Sequence, residues 1–301
     1  CIRDSMIVLQ TKELTKRYDS IKAVNQLSLQ VEEGQILGIL GPNGSGKTTF
    51  LGIVLDIIKK DSGDYNWFEG KNGRNVRKKL GALLETPNFY PNKNAQDNLK
   101  IIAHIKKVKN PRINELLEIT NLAHRKKSPF RDYSLGMKQR LGIAGAMIGN
   151  PDVLIFDEPT NGLDPQGIAE IRETIVNIGK QGKTIIMASH ILDEVEKVCT
   201  HVSIIKNGNH LISGSVGSII SDDVQVEIAA TNMDGLKNIF SNDSRISKLE
   251  EKEGKLVLNI NSEFPTIEIN QMAYNNAIVL THLVVKAKSL ESEFLEIVSK
   301  N

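Results

Sequence analysis

From Met6 onward, apolar and polar residues alternate in two stretches, about Ile7–Thr15 and Ala23–Val31, with Arg17-Tyr18-Asp19-Ser20 between them. A period of two predicts strands with one covered face, joined as a hairpin or meander. The pattern then changes. Ile36-Leu37-Gly38-Ile39-Leu40, Val153-Leu154-Ile155-Phe156 and Thr184–Met187 are short, nearly continuous apolar runs, and Val202–Lys206 follows suit. Such runs suit strands buried on both faces of a parallel sheet. Helical periodicity separates them over Phe50–Ile58, Pro111–Leu122, Ser134–Ile148, Gln166–Gly179 and Leu192–Val198, and Asn94 caps a further helix through Asp97, Leu99, Ile102 and Ile105. Asp61–Asp64 reads as a turn before a short strand, Tyr65–Phe68. Asn75–Leu80 reads as the start of a helix leading to a strand over Leu80–Leu84, and Glu85–Asn92, with two prolines, reads as a loop. The whole predicts an α/β fold: a mostly parallel sheet covered by helices, an antiparallel β part, and a helical subdomain over about residues 86–150.

Beyond about residue 218 the texture differs. Val224, Val226 and Ile228 alternate as in a strand, and Met233–Phe240 suits a helix. Ile246–Glu250 and Leu256–Ile260 flank Glu253-Gly254 as a hairpin, followed by a helix over Thr266–Tyr274, a strand over Ile278–Val285 and an amphipathic helix over Leu290–Val298. The order β-α-β-β-α-β predicts a small α+β domain of ferredoxin-like type over residues 219–301, after a first domain over 1–218. It holds no metal-ligand spacing and no nucleophile–base pair. A regulatory or dimer-supporting role and a plain packing extension both remain open for it.

Charge supports that division. From Asn207 onward there are 8 Lys/Arg against 13 Asp/Glu, and before it 30 against 23. A basic front suits a polyanionic nucleotide, but the excess is too small to argue for nucleic acid. The two cysteines, Cys1 and Cys199, imply no disulfide framework. No apolar run approaches the roughly 18–20 residues that span a bilayer, and no secretory leader is expected.

The chemistry centres on Gly41-Pro42-Asn43-Gly44-Ser45-Gly46-Lys47-Thr48-Thr49. Preceded by a buried strand and followed by a helix, this is the context of a phosphate-binding glycine loop. Its glycines let backbone N–H groups converge on phosphate oxygens, and the helix N-terminus adds a positive dipole. Lys47 is placed for the β- and γ-phosphates and Thr48 for Mg²⁺. Asp157 and Glu158 end an apolar strand, where open α/β sheets place their chemistry. Asp157 is a candidate Mg²⁺ ligand and Glu158 a candidate general base. His190 ends the next strand and is a candidate third group. Tyr18 is a single aromatic on a loop, suited either to a nucleotide base or to ordinary packing.

These motifs, with the segment Tyr133-Ser134-Leu135-Gly136-Met137 and the loop Asn161-Gly162-Leu163-Asp164, resemble the nucleotide-binding subunit of an ATP-binding-cassette (ABC) transporter over about residues 6–215. The resemblance implies a P-loop NTPase cassette that binds and hydrolyses ATP with Mg²⁺. It implies that Tyr18 stacks on adenine, that Glu158 is the catalytic base and that His190 senses the γ-phosphate. Ser134 and Gly136 would grip the ATP of a second subunit, and Asp164 would connect the two sites of a homodimer. Separate transmembrane permease subunits are then the partners, at the cytoplasmic face of the membrane.

Two departures stand out. The family's Leu-Ser-Gly-Gly-Gln signature is here Tyr133–Met137, so Leu135 replaces a glycine with its backbone freedom and Met137 replaces an amide. Where the family has a glutamine reaching Mg²⁺, this chain has Glu85, a further candidate metal and catalytic residue. Both features resemble the subfamily that exports or resists antimicrobial peptides such as lantibiotics and bacitracin, and also occur in other exporters. Two other classes stay open: a soluble ABC-type ATPase acting on nucleic acid or ribosomes, and a nucleotide-controlled scaffold with little turnover.

Overall fold

The computed structural model describes residues 6–70, 74–220, 223–241, 243–261, 264–287 and 289–300. Cys1 lies outside them. The chain divides into two units, one up to Val216 and one from Gly217 to Lys300.

The first unit opens with β1 (Ile7–Tyr18) and β2 (Ile21–Glu32), an antiparallel pair joined at Asp19-Ser20. Both strands are longer than the alternation predicts, because left-handed residues at Glu13 (φ 47°) and Gln26 (φ 51°) absorb the breaks in period as bulges. β3 (Ile36–Leu40) runs into α1 (Lys47–Val54). This helix starts earlier than the expected Phe50 and stops before Ile58, since Asp56 is left-handed at φ 61°. β4 (Ser62–Trp67) pairs with β1 where a turn was expected at Asp61–Asp64. Gly63 makes this possible: at φ 78° it lies so close to Glu13 that a Cβ would sit 2.3 Å from the Glu13 carbonyl oxygen.

The short α2 (Arg74–Arg77) precedes β5 (Leu80–Leu83). Then come α3 (Ala95–Ile105), capped by the Asn94 side chain accepting from Asp97 N at 2.9 Å, and α4 (Ile113–Ile119). α4 is shorter than the expected Pro111–Leu122 because Arg112 is left-handed at φ 50°. α5 (Leu135–Met147), β6 (Val153–Asp157), α6 (Pro165–Lys180), β7 (Thr184–Ser189), α7 (Leu192–Val198), β8 (His201–Lys206) and β9 (Asn209–Ser215) complete the unit, with α8 (Val216–Ile219) at its boundary.

Among the described residues of this unit the strands form two sheets, β2-β1-β4 and β5-β6-β7-β3-β8-β9. In the second, all pairs are parallel except β8 with β9. β3, β6 and β7 are buried at every position, which is why they read as continuous apolar runs. Register decides where the chemistry goes. Leu40 pairs with Ser189, Asp157 with Ala188, and Leu83 with Phe156, so Gly41, Glu158, His190 and Glu85 all leave at the same edge of the sheet.

The second unit comprises β10 (Asp223–Ala230), α9 (Met233–Phe240), β11 (Ile246–Lys252), β12 (Lys255–Asn261), α10 (Thr266–Asn275), β13 (Leu280–Ala287) and α11 (Leu290–Lys300). Its antiparallel sheet has the order β11-β12-β10-β13. Val226, Ile228, Leu256, Leu258 and Ile260 bury one face of it with Leu236, Phe240 and Ile269 of the helices. The expected strand start at Ile278 is corrected: Ala277 is left-handed at φ 57° and buried Ile278 closes α10, its N–H donating to Ala273 O at 2.9 Å.

Candidate active site

Gly41–Gly46 carry the chain from the buried end of β3 to Lys47, the first residue of α1. Two positions in this loop admit no side chain. At Gly46, φ is 105° and a Cβ would lie 2.0 Å from Ala23 O; at Gly41 it would lie 2.2 Å from Ile205 O. Pro42, Asn43 and Gly44 are exposed, Ser45 is buried, and Thr48 and Thr49 sit in the first turn of α1. Unpaired N–H groups at that helix start favour an anion. The Lys47 ammonium is buried and folds back over the loop, donating to Gly41 O at 2.7 Å and Pro42 O at 3.2 Å.

Across from it, β6 delivers Asp157 and Glu158. Glu158 is left-handed at φ 47°, held by its N–H donating to Ala188 O at 3.0 Å. One carboxylate oxygen of Glu158 lies 3.5 Å from Lys47 Nζ and the other 2.8 Å from His190 Nδ1. Asp157 is 3 % exposed, and its Oδ1 has no hydrogen-bond partner among the described residues. Burial raises its carboxyl above the ordinary range; a hydrogen bond from Thr48 opposes that, and the Glu158 and Glu85 charges add to it. Glu85 is exposed and left-handed at φ 55°, just past β5. Tyr18 ends β1 with 46 % of its surface open, and Lys16 Nζ lies 5.4 Å from its ring centre.

Ser134, Gly136 and Asp164 gather elsewhere. Together with Leu135, Met137, Arg140, Gly162 and Leu163 they line a cavity of about 470 Å³ that no residue of the Gly41–Thr49 loop borders. Ser134 caps α5, its hydroxyl accepting from Met137 N at 3.3 Å. Asp164 caps α6 and accepts from Gly167 N at 2.8 Å.

Comparison with known proteins matches residues 24–161 to the ABC transporter family model. The bacitracin transport ATP-binding protein BcrA of Bacillus licheniformis is 45 % identical over 209 residues, 68 % of each chain. The ABC transporter ATP-binding protein YcbN of Bacillus subtilis (strain 168) is 33 % identical over 310 residues, 98 % of each. The chain belongs to the ABC transporter ATP-binding family.

It is therefore an ABC ATPase, a transporter subunit that binds and hydrolyses ATP. The solved structure of cbiO1 from Clostridium perfringens, part of the ABC transporter complex cbiONQ, has a TM-score of 0.63 at 30 % identity, covering 70 % of this chain and 89 % of that one. In this ATPase the Tyr133–Met137 segment is not strained at Leu135. Leu135 is the first residue of α5 and is not left-handed, so it needs no glycine's freedom, and its side chain lies against Gly162. Sequence reasoning missed Arg140, buried at 5 % exposure, whose guanidinium pairs with Glu170 at 2.9 Å and so ties α5 to α6 beside the signature. A basic residue amid the apolar stretch of α5 was the available signal.

Proposed function

We propose that this ATPase is the motor of a membrane exporter, in which two copies close around two ATP molecules and pass that closure to separate permease subunits at the cytoplasmic face of the membrane. The observation that carries the reading is the Glu158 carboxylate held between Lys47 and His190 at the mouth of the glycine loop. Glu158 takes the proton of the attacking water, and His190 fixes the direction of that carboxylate. Lys47 exchanges its loop carbonyls for phosphate oxygens. Tyr18 stacks on the adenine, and Gly41–Thr49 wrap the phosphates.

Mg²⁺ fits the residues present: Asp157, whose buried Oδ1 has no hydrogen-bond partner among the described residues, and the Thr48 hydroxyl that hydrogen-bonds the same carboxyl are hard oxygen donors that would hold the ion. When bound it neutralises charge on the β- and γ-phosphates. Glu85, which raises the Asp157 carboxyl through its charge, is the third acidic group toward that corner. Ser134 and Gly136 of the second copy would grip the γ-phosphate and Asp164 would link the two sites, which accounts for a cavity formed apart from the loop.

Similarity to a bacitracin transport protein, together with Glu85 and the Tyr133–Met137 signature, supports antimicrobial peptides or drugs as the exported class. The C-terminal unit is read as a ferredoxin-like accessory domain. Co-purification with a permease, followed by ATPase assays with bacitracin and lantibiotic peptides, tests the assignment. Stimulation by a peptide supports it; turnover indifferent to every peptide, in a complex that still transports another solute, overturns the substrate class.

A further inference from the structure

Behind the glycine loop stands a hairpin tip that has no part in the chemistry above. β8 turns into β9 through Asn207 and Gly208, at φ 49° and 78°, with Lys206 paired to Asn209. Two left-handed residues in a two-residue turn are what an Asn-Gly pair accommodates best. The tip is bonded to the loop and to β2 at once. Gly208 N donates to Ser45 O at 2.9 Å, and Gly208 O accepts from Asn25 N at 2.9 Å. Asn25 Nδ2 donates to Asn209 Oδ1 at 2.7 Å.

The space between these backbones is closed. A Cβ on Gly208 would lie 2.4 Å from Lys22 O, and one on Gly46 would lie 2.0 Å from Ala23 O. The tip, the loop and β2 therefore meet backbone to backbone. β2 is also the strand that leaves the Tyr18 turn, with Ile21 paired to Tyr18.

We propose that the Asn207-Gly208 tip is a positioning element for ATP binding, holding the loop against β2 and so fixing its place relative to Tyr18. This rests on reading Gly41–Thr49 as the phosphate loop. The lever is the Ser45–Gly46 peptide. A trans peptide points its C=O and N–H in opposite directions. By drawing Ser45 O toward itself, Gly208 N–H turns the Gly46 N–H the other way, away from the tip, as a donor for phosphate. Gly208 touches no reacting atom; it acts through Ser45, and a side chain there would push the tip off β2.

The test is Gly208→Ala, compared with wild type and with Lys47→Ala, using a fluorescent ATP analogue, steady-state kinetics and melting of the nucleotide-free chain. Displacing one backbone hydrogen bond predicts Kd and KM for ATP raised about tenfold, with kcat at saturating ATP within about twofold. Melting of the nucleotide-free variant should fall, because an alanine at φ 78° with its Cβ 2.4 Å from Lys22 O is strained, so Kd and kinetics are read at a temperature where both chains are folded. A Kd within about twofold of wild type, or a loss confined to kcat, would overturn the proposal. Should Gly208→Ala not fold, the Asn25→Ala/Asn209→Ala double variant decides: Kd raised about threefold supports the tip's role, and an unchanged Kd rejects it. Lys47→Ala binding ATP as well as wild type would instead show that the loop itself is misread.

Discussion

His190 Nδ1 stands 2.8 Å from the Glu158 Oε2, while Oε1 of the same carboxylate faces Lys47 Nζ at 3.5 Å. One carboxylate thus bridges the loop lysine and a group from the next strand, and β-sheet register is what brings them together. Asp157 pairs with Ala188 on the neighbouring strand, so Glu158 and His190 leave the sheet together, one residue past each strand end. This relation separates binding from chemistry and can be tested residue by residue.

Glu158→Gln keeps the shape and can still hydrogen-bond His190, but it is no proton acceptor for water. Turnover should fall by at least about 100-fold. ATP affinity should stay within about threefold, and the chain should persist as a dimer in ATP on size-exclusion chromatography. Wild-type turnover in this variant would sink the assignment of Glu158 as base.

Asp157 gives a prediction with a sign in pH. Burial raises its carboxyl above the ordinary value, so the folded chain holds this proton more tightly than the unfolded one. Its contribution to stability is therefore fully present below the unfolded pKa and is lost as pH rises through the higher folded one. Asp157→Asn removes that dependence. The nucleotide-free variant should melt above wild type at neutral pH, with the gap closing toward acid, while its response to Mg²⁺ with ATP is lost. Melting curves across pH check this; a variant that melts below wild type at every pH would contradict it.

Much of this was legible in the residues because buried parallel strands announce themselves. Ile36–Leu40, Val153–Phe156 and Thr184–Met187 are nearly continuous apolar runs since both faces are covered, and the glycine loop directly follows the first of them. β9 was missed, because Asn209–Ser215 is half exposed and shows neither an apolar run nor clean alternation. The Asn207-Gly208 pair was its one local mark. The limits of α1 were misjudged because Lys47 and Thr48 serve loop and helix alike, and because the chain leaves the helix at a left-handed Asp56. The Arg140–Glu170 pair spans two helices, and no local pattern connects residues that far apart.

Glu85→Gln removes a charge from the corner shared with Asp157 while keeping a side chain of the same length. Glu85 is exposed, so the fold should tolerate the change, and stability should move by less than about 0.5 kcal/mol. Because its charge acts where Mg²⁺ and phosphate would meet, turnover or coupling to transport should change more than ATP affinity. Assays of ATPase activity and transport in the permease complex decide it: if both match wild type, Glu85 has no part in the site.

Arg140 links stability to the signature. Its side chain is 7 % exposed, and its guanidinium pairs with Glu170 at 2.9 Å and donates to Asn121 O at 3.1 Å. Arg140→Ala leaves the Glu170 carboxylate and the Asn121 carbonyl without this donor and opens space beneath α5. Because Glu170 keeps 28 % exposure, water recovers part of the loss, and the cost should be about 2–3 kcal/mol, below that of a fully buried pair. Arg140→Lys restores a charge but not the fork that reaches two partners, so it should regain less than half of that. If the pair also sets the angle at which Ser134 and Asp164 face their cavity, Arg140→Ala should weaken ATP-induced dimerisation while the single chain binds ATP as before. Denaturant unfolding and light scattering in ATP separate the two effects. Full dimerisation in a destabilised variant would make Arg140 a brace for the fold alone.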